Sequence, residues 1–358
     1  MALTLTTVAF FLAALLVSSP SAAAARALTG TAKHDIPAVF AFGDSTLDPG
    51  NNNRLNTLVR ADHAPYGRDF PGGEATGRFS DGKLITDYIV ESLGIKDLLP
   101  AYHNSRLTVA EATTGVSFAS GGSGIDDLTA QTALVSTFGS QISDFQELLG
   151  RIGAPKSAEI ANKSLYVLSA GTNDVSLYSV LPIRAGSFPT IDQYNDYLIG
   201  RLQSYIQSLY KLGARNFMVA GLPPVGCLPV QKSLQSITRG FEGCVADLNS
   251  AAEGYNSALQ QMLTKLEAAS PGVTLAYVDV YGPLKDMATQ PQKYGFTETT
   301  LGCCGTGLVE MGALCTSLLP QCESPAQFMF FDSVHPTQAT YKALADRIVQ
   351  SHIPKFIK

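Results

Sequence analysis

Apolar residues follow two patterns along this chain. Five short runs, AVFAF (38–42), VSFAS (116–120), LYVLSA (165–170), NFMVAGL (216–222) and TLAYVDV (274–280), are mostly continuous and do not alternate with polar residues. Strands buried on both faces read this way. Between them the apolar positions recur at helical spacing. Residues 81–94 place Leu84, Ile85, Tyr88, Ile89 and Leu93 on one stripe, and Gly94 is a plausible stop. Residues 192–212 do the same with Tyr194, Tyr197, Leu198, Leu202, Ile206 and Leu209 before Gly213, and 245–268 has similar periodicity. Pro336 suits the first position of a last helix.

Strands alternating with helices predict a parallel sheet covered on both faces and wound by right-handed crossovers. Such sheets bind ligands outside the carboxyl ends of their strands. The residues that follow each run are therefore the informative ones. No linker, low-complexity stretch or repeat divides the chain. Two long segments rich in Gly, Pro and Asn, 44–80 and 221–243, read as loops lining a site.

Composition adds three constraints. With 358 residues, 45% of them hydrophobic, the chain can bury a large core. A net charge of −5 and the absence of a basic run argue against nucleic acid or anionic membranes as partners. The N-terminus carries the apolar run VAFFLAALLV (8–17) and the small-residue stretch SPSAAAARA (19–27), so residues 1–27 read as a signal peptide and 28–358 as one secreted domain. No other stretch is long and apolar enough to span a bilayer.

The cysteines agree with an oxidising compartment. Cys227, Cys244, Cys303, Cys304, Cys315 and Cys322 are an even set behind a signal peptide, which implies disulfides. Fifteen pairings are possible on paper. Local pairing suggests Cys227–Cys244 and two bridges within 303–322, without a bond between the adjacent Cys303 and Cys304. A zinc site is the rival, and no C-x-x-C or nearby His pair supports it. Asn162-Lys163-Ser164 is a glycosylation sequon.

Candidate chemistry gathers at the strand ends. Gly43-Asp44-Ser45 follows the first run, Gly121-Gly122-Ser123-Gly124 the second, and Gly171-Thr172-Asn173-Asp174 the third. Ser45 is the candidate nucleophile, a hydroxyl held exposed where a strand stops. Of the five histidines, only His335 has a carboxylate, Asp332, three residues back across an Asp-Ser-Val-His turn. Asp332 can fix the tautomer and leave the other ring nitrogen for Ser45. Gly121 N–H, the Asn173 amide and Ser45 N–H are candidate donors to an oxyanion. Taken singly, each of these residues has an ordinary reading as a turn or cap residue. Asp44 is assigned to holding its turn, and Asp126, Asp127 and Asp174 to caps or surface charge. The chain lacks G-x-S-x-G, H-E-x-x-H, a P-loop and a dinucleotide fingerprint. No metal or cofactor is expected.

In order along the chain, FGDSTLDPGNNN (42–53), TGRFSDGKLITDYI (76–89), GVSFASGGSGI (115–125), SAGTNDV (169–175), GLPPVGCLP (221–229), LGCCGTGLVE (301–310) and FDSVHPT (331–337) resemble the plant GDSL esterase/lipase family, within the SGNH hydrolases. The resemblance covers nearly the whole mature chain. It implies a flavodoxin-like three-layer α/β/α sandwich with a five-stranded parallel sheet and no cofactor. It matches Ser45 to the nucleophile, His335 to the base, Asp332 to its partner, and Gly121 and Asn173 to the oxyanion hole. Two departures are visible: Thr46 follows Ser45 where the family name has Leu, and Phe331 precedes Asp332 where relatives often carry Trp. The expected activity is hydrolysis of lipid acyl esters or acetylated wall polysaccharide through an acyl-enzyme, by a monomer outside the cell. Acyl transfer to a hydroxyl acceptor and an idle cell-wall or defence binding protein are the alternatives.

Overall fold

A computed structural model describes residues 35–178, 182–240 and 243–357. The expected signal peptide lies outside the described residues. Four of the five apolar runs form regular strands: β1 (Val39–Gly43), β2 (Leu165–Ser169), β3 (Asn216–Ala220) and β4 (Thr274–Val278). They pair in parallel in the order β1-β2-β3-β4.

The fifth run differs from expectation. Residues 116–120 lie along the free edge of β1, through Ala41 N–H to Val116 O (3.1 Å), Phe118 N–H to Ala41 O (2.8 Å) and Ser120 N–H to Gly43 O (3.0 Å). They form isolated bridges only, because Ser117 also bridges Ala101 on its other side and Asn51 Nδ2 donates to Ser117 O and Ala119 O. The sheet therefore has four regular strands and an irregular fifth edge. Counted in chain order, the spatial arrangement is 2-1-3-4-5, the flavodoxin-like order, whose switch point lies between β1 and β2.

Side-chain alternation gives the sheet two unlike faces. Phe40, Phe42, Tyr166 and Phe217 point to one face. There they meet Phe118 and Phe145, with ring centroids 5.0 Å apart for Phe40–Phe145 and 5.1 Å for Phe42–Phe118. Phe145 comes from the helix Phe138–Ile152. The opposite face carries Val39, Ala41 and Gly43 on β1, with Val167, Met218 and Val278 on the other strands. These smaller groups face the helices Ile85–Ser92, Tyr281–Thr289 and Gln338–Ser351 and leave space there.

The long helices match their periodicity, at Ile191–Lys211 and Ala246–Ala269. The helix expected over 81–94 begins at Ile85, since the Asp87 carboxylate accepts the Leu84 N–H at 2.9 Å and stops it there. Pro336 is not the first residue of the last helix. Thr337 caps it by accepting from Thr340 N–H, and the helix starts at Gln338. A second, two-stranded parallel sheet joins β5 (Glu298–Gly302) to β6 (Phe328–Phe330). Its short strands carry no pattern that a sequence reader would single out. The disulfides are Cys227–Cys244, Cys303–Cys322 and Cys304–Cys315. Among the described residues no helix is long and apolar enough to cross a membrane.

Candidate active site

The loop that carries Ser45 is built by close backbone packing. Gly43 has φ +142°, and a Cβ there would lie 1.8 Å from Ser169 O, so only glycine fits. Asp44 N–H donates to Ser169 O at 3.1 Å, while Asp44 Oδ1 accepts from Thr46 N–H (3.0 Å) and Thr46 Oγ1 (2.7 Å). The turn is closed, and Ser45 stands at its tip at the carboxyl end of β1. Burial raises the Asp44 carboxyl above its ordinary range, against the pull of the Thr46 hydrogen bonds.

Behind β6 the chain makes a second turn. Asp332 Oδ1 accepts from Val334 N–H (2.8 Å) and His335 N–H (2.7 Å), and Phe331 N–H donates to His335 O (2.7 Å). The other oxygen, Oδ2, lies 2.7 Å from His335 Nδ1. His335 Nε2 lies 2.7 Å from Ser45 Oγ. All three side chains are buried. Because Asp332 Oδ2 is an acceptor, Nδ1 carries the ring hydrogen and Nε2 accepts from the serine hydroxyl. The Phe79 ring packs on the imidazole with centroids 4.8 Å apart. Two pieces of chain are thus joined in one hydrogen-bonded line, from Asp332 through His335 to Ser45.

The expected oxyanion donors divide. Asn173 is the second residue of the helix Thr172–Tyr178 after β2. One hydrogen of its amide goes to Ser123 O at 2.8 Å, and the side chain lines the same cavity as Ser45 and His335. A second amide hydrogen remains. The Ser45 N–H makes no hydrogen bond among the described residues. Gly121 needs correction. Its N–H donates to Asp48 Oδ2 at 2.8 Å, so it is already engaged and does not point to an open site. Its lack of a side chain serves packing, since a Cβ would sit 2.6 Å from the Phe79 ring beside His335.

The asparagine-rich loop also has a different role from the one expected. Asn51 and Asn52 are buried and do not line the cavity. Asn52 Nδ2 donates to Val59 O and Gly121 O, both at 2.8 Å, and Asn51 fixes the 117–119 backbone. Asp48 accepts from Gly50 N–H (2.8 Å), Asn51 N–H (2.6 Å) and Gly121 N–H (2.8 Å), and burial pushes its carboxyl up to about 6. Asp48→Ala leaves three N–H groups without partners, those of Asn51 and Gly121 buried and that of Gly50 partly so, at about 1–3 kcal/mol for each buried one before relaxation. Urea denaturation is expected to show a loss of about 3 kcal/mol or more in unfolding free energy.

Sequence reading missed two residues. Asp48 gave a weak signal, as an acid placed to accept from a turn three residues on. Tyr66 gave none. Its hydroxyl donates to Asp332 Oδ2 at 2.6 Å and accepts from Gly312 N–H at 2.7 Å, across separations that no local pattern encodes. Asp174, expected to be a cap or surface charge, is fully buried. It accepts from Ile125 N–H, Asp126 N–H and Thr129 Oγ1, and burial pushes its carboxyl up to about 7. Asp126 does cap the helix Asp127–Ala133.

Ser45 and His335 open onto a cavity of about 510 Å³ on the small-residue face of the sheet. Its wall is mostly aliphatic, with Val167, Met218, Val278, Leu284, Leu344 and Ile348 among the lining residues. Among the described residues no group of His, Cys, Asp and Glu is arranged to hold a metal ion.

The family model described as GDSL-like Lipase/Acylhydrolase matches residues 39–348. A GDSL esterase/lipase of Arabidopsis thaliana, At2g40250, is 45% identical over 327 residues, covering 89% of this chain and 90% of that protein. A second from the same plant, At2g31550, is 42% identical over 348 residues, covering 96% and 95%. Among solved structures, the lipase Lip_vut3 from a goat rumen metagenome aligns with TM-score 0.39 and 11% identity, covering 88% of this chain and 96% of that one.

Proposed function

The chain belongs to the GDSL-like lipase/acylhydrolase family, whose members are ester hydrolases, and from that premise we propose that it cleaves acyl esters through a serine acyl-enzyme. The observation that carries the reading is the unbroken line Asp332–His335–Ser45, whose Ser45 and His335 line an aliphatic cavity. Ser45 Oγ attacks the ester carbonyl as Nε2 of His335 takes its proton. Asp332 holds the ring and offsets the charge that develops on it. The Ser45 N–H and the Asn173 amide face the oxygen that becomes negative. His335 returns the proton to the departing alcohol. Water then attacks the acyl carbon as its proton passes to His335, and His335 returns that proton to Ser45 Oγ as the acyl–oxygen bond breaks and the acid leaves.

The cavity favours an acyl chain over an acetyl group, because a two-carbon acyl leaves most of its aliphatic wall uncovered. Each buried methylene contributes about 0.8 kcal/mol, or up to about fourfold in kcat/KM, until the cavity is full. A chain-length series of nitrophenyl esters, run beside acetylated xylan, tests this. The expected result is a steep rise from acetyl towards medium acyl chains and little activity on the xylan. The highest activity on acetyl groups would overturn the acyl-lipid reading. Secretion is the localisation that three disulfides support. Asn162 is exposed, as a glycosylation site requires.

A further inference from the structure

The carboxylate of Asp332 has a second buried partner that the steps above do not use. Tyr66 is 1% exposed, and its ring packs against Phe331 (centroids 5.4 Å apart) and Phe79 (5.9 Å). Its hydroxyl accepts from Gly312 N–H, which settles the direction of the other bond: the phenolic hydrogen goes to Asp332 Oδ2 at 2.6 Å. Burial and the negative charge of Asp332 hold the phenol well above its ordinary range, so it remains a donor at any working pH. Oδ2 therefore receives two short hydrogen bonds, from Tyr66 O–H and from His335 Nδ1–H.

We infer that Tyr66 is a positioning residue that weakens the hold of Asp332 on the His335 ring proton. The inference rests on the triad reading above. A carboxylate oxygen that shares its charge with a phenol binds a neighbouring imidazolium less tightly. The imidazolium formed during attack is then readier to give its proton to the departing alcohol. Gly312 keeps the phenol aimed, and its loop is anchored by the Cys304–Cys315 bridge. The other titratable groups around this line are Asp44, whose charge reaches His335, Tyr341, which feels Asp44, Asp332 and Asp81, and His63, whose ring sits edge-on to Tyr66. None of them donates a hydrogen bond to Asp332 Oδ2.

The test uses the full-length protein with Tyr66→Phe and, separately, with 3-fluorotyrosine incorporated at position 66. Two quantities are read: the acid limb of the kcat/KM–pH profile, and the proton resonance of the His335 Nδ1–H. A hydrogen bond to a charged group contributes on the order of one pH unit of differential stabilisation. In Tyr66→Phe the acid limb is expected to move up by about one unit and kcat to fall several-fold, with the ring-proton resonance moving downfield. The fluorinated phenol, a stronger donor, is expected to move both quantities the opposite way. A purely structural Tyr66 would lower stability and leave the limb and the resonance in place, and that result overturns the inference. If Tyr66→Phe does not fold, the fluorotyrosine protein alone decides. The resonance is read without turnover, so a wild-type protein that hydrolyses no ester would defeat the proposed function and still leave the Tyr66 question answerable.

Discussion

Ser45→Ala is expected to remove ester turnover and fluorophosphonate labelling together, with a fall in kcat of about 10⁴–10⁶. The size follows from the arrangement. Among the described residues Ser45 Oγ makes a single hydrogen bond, to His335 Nε2, and no other hydroxyl is bonded to that nitrogen. Alanine leaves the Gly43–Ser169 packing and the Asp44–Thr46 bonds in place, so the fold should be unchanged by circular dichroism and thermal unfolding. Residual catalysis would come from the oxyanion donors and the cavity alone. Labelling that persists in the variant would show that another residue is the nucleophile, and the serine mechanism would have to be abandoned.

Asp332→Asn should cost about 10⁴ in kcat, through the tautomer of His335 more than through lost charge. Asp332 accepts four hydrogen bonds, two on each oxygen. An asparagine must keep its carbonyl on the Val334 and His335 N–H groups, since those are backbone donors that cannot turn. Its NH₂ then faces His335 Nδ1 and Tyr66. The imidazole answers by moving its hydrogen to Nε2, where it can no longer accept from Ser45. The phenol of Tyr66, which already accepts from Gly312 N–H, loses the acceptor for its own hydrogen, so a fall of about 1–3 kcal/mol in stability is expected beside the loss of turnover. The check is the kcat–pH profile with a thermal melt beside it. Near-wild-type turnover at neutral pH would mean that His335 does not depend on Asp332 for its orientation.

These two variants act on one line of atoms, and their effects should not add. With Ser45 gone, the tautomer of His335 no longer matters. The double variant is expected to match Ser45→Ala within a few-fold.

Much of this was readable from residues close together in sequence, because local rules govern them. Continuous apolar runs named the four regular strands, and helical spacing named the long helices. The stop at Gly43-Asp44-Ser45 marked the turn that carries Ser45, and the three-residue spacing of Asp332 and His335 marked theirs. Two turn residues and a strand end are set by backbone sterics within a few positions, so one sequence suffices to see them. The tertiary structure alone decided the rest. It brought Ser45 within 2.7 Å of His335 across 290 residues, and Tyr66 onto Asp332 across 266. It engaged the Gly121 N–H with Asp48, and left 116–120 as an irregular edge. It opened the cavity on the face where Ala41 and Gly43 leave room. Those outcomes depend on which surfaces pack and which buried polar groups must find partners, and such partners are chosen across space, where spacing along the chain carries no signal.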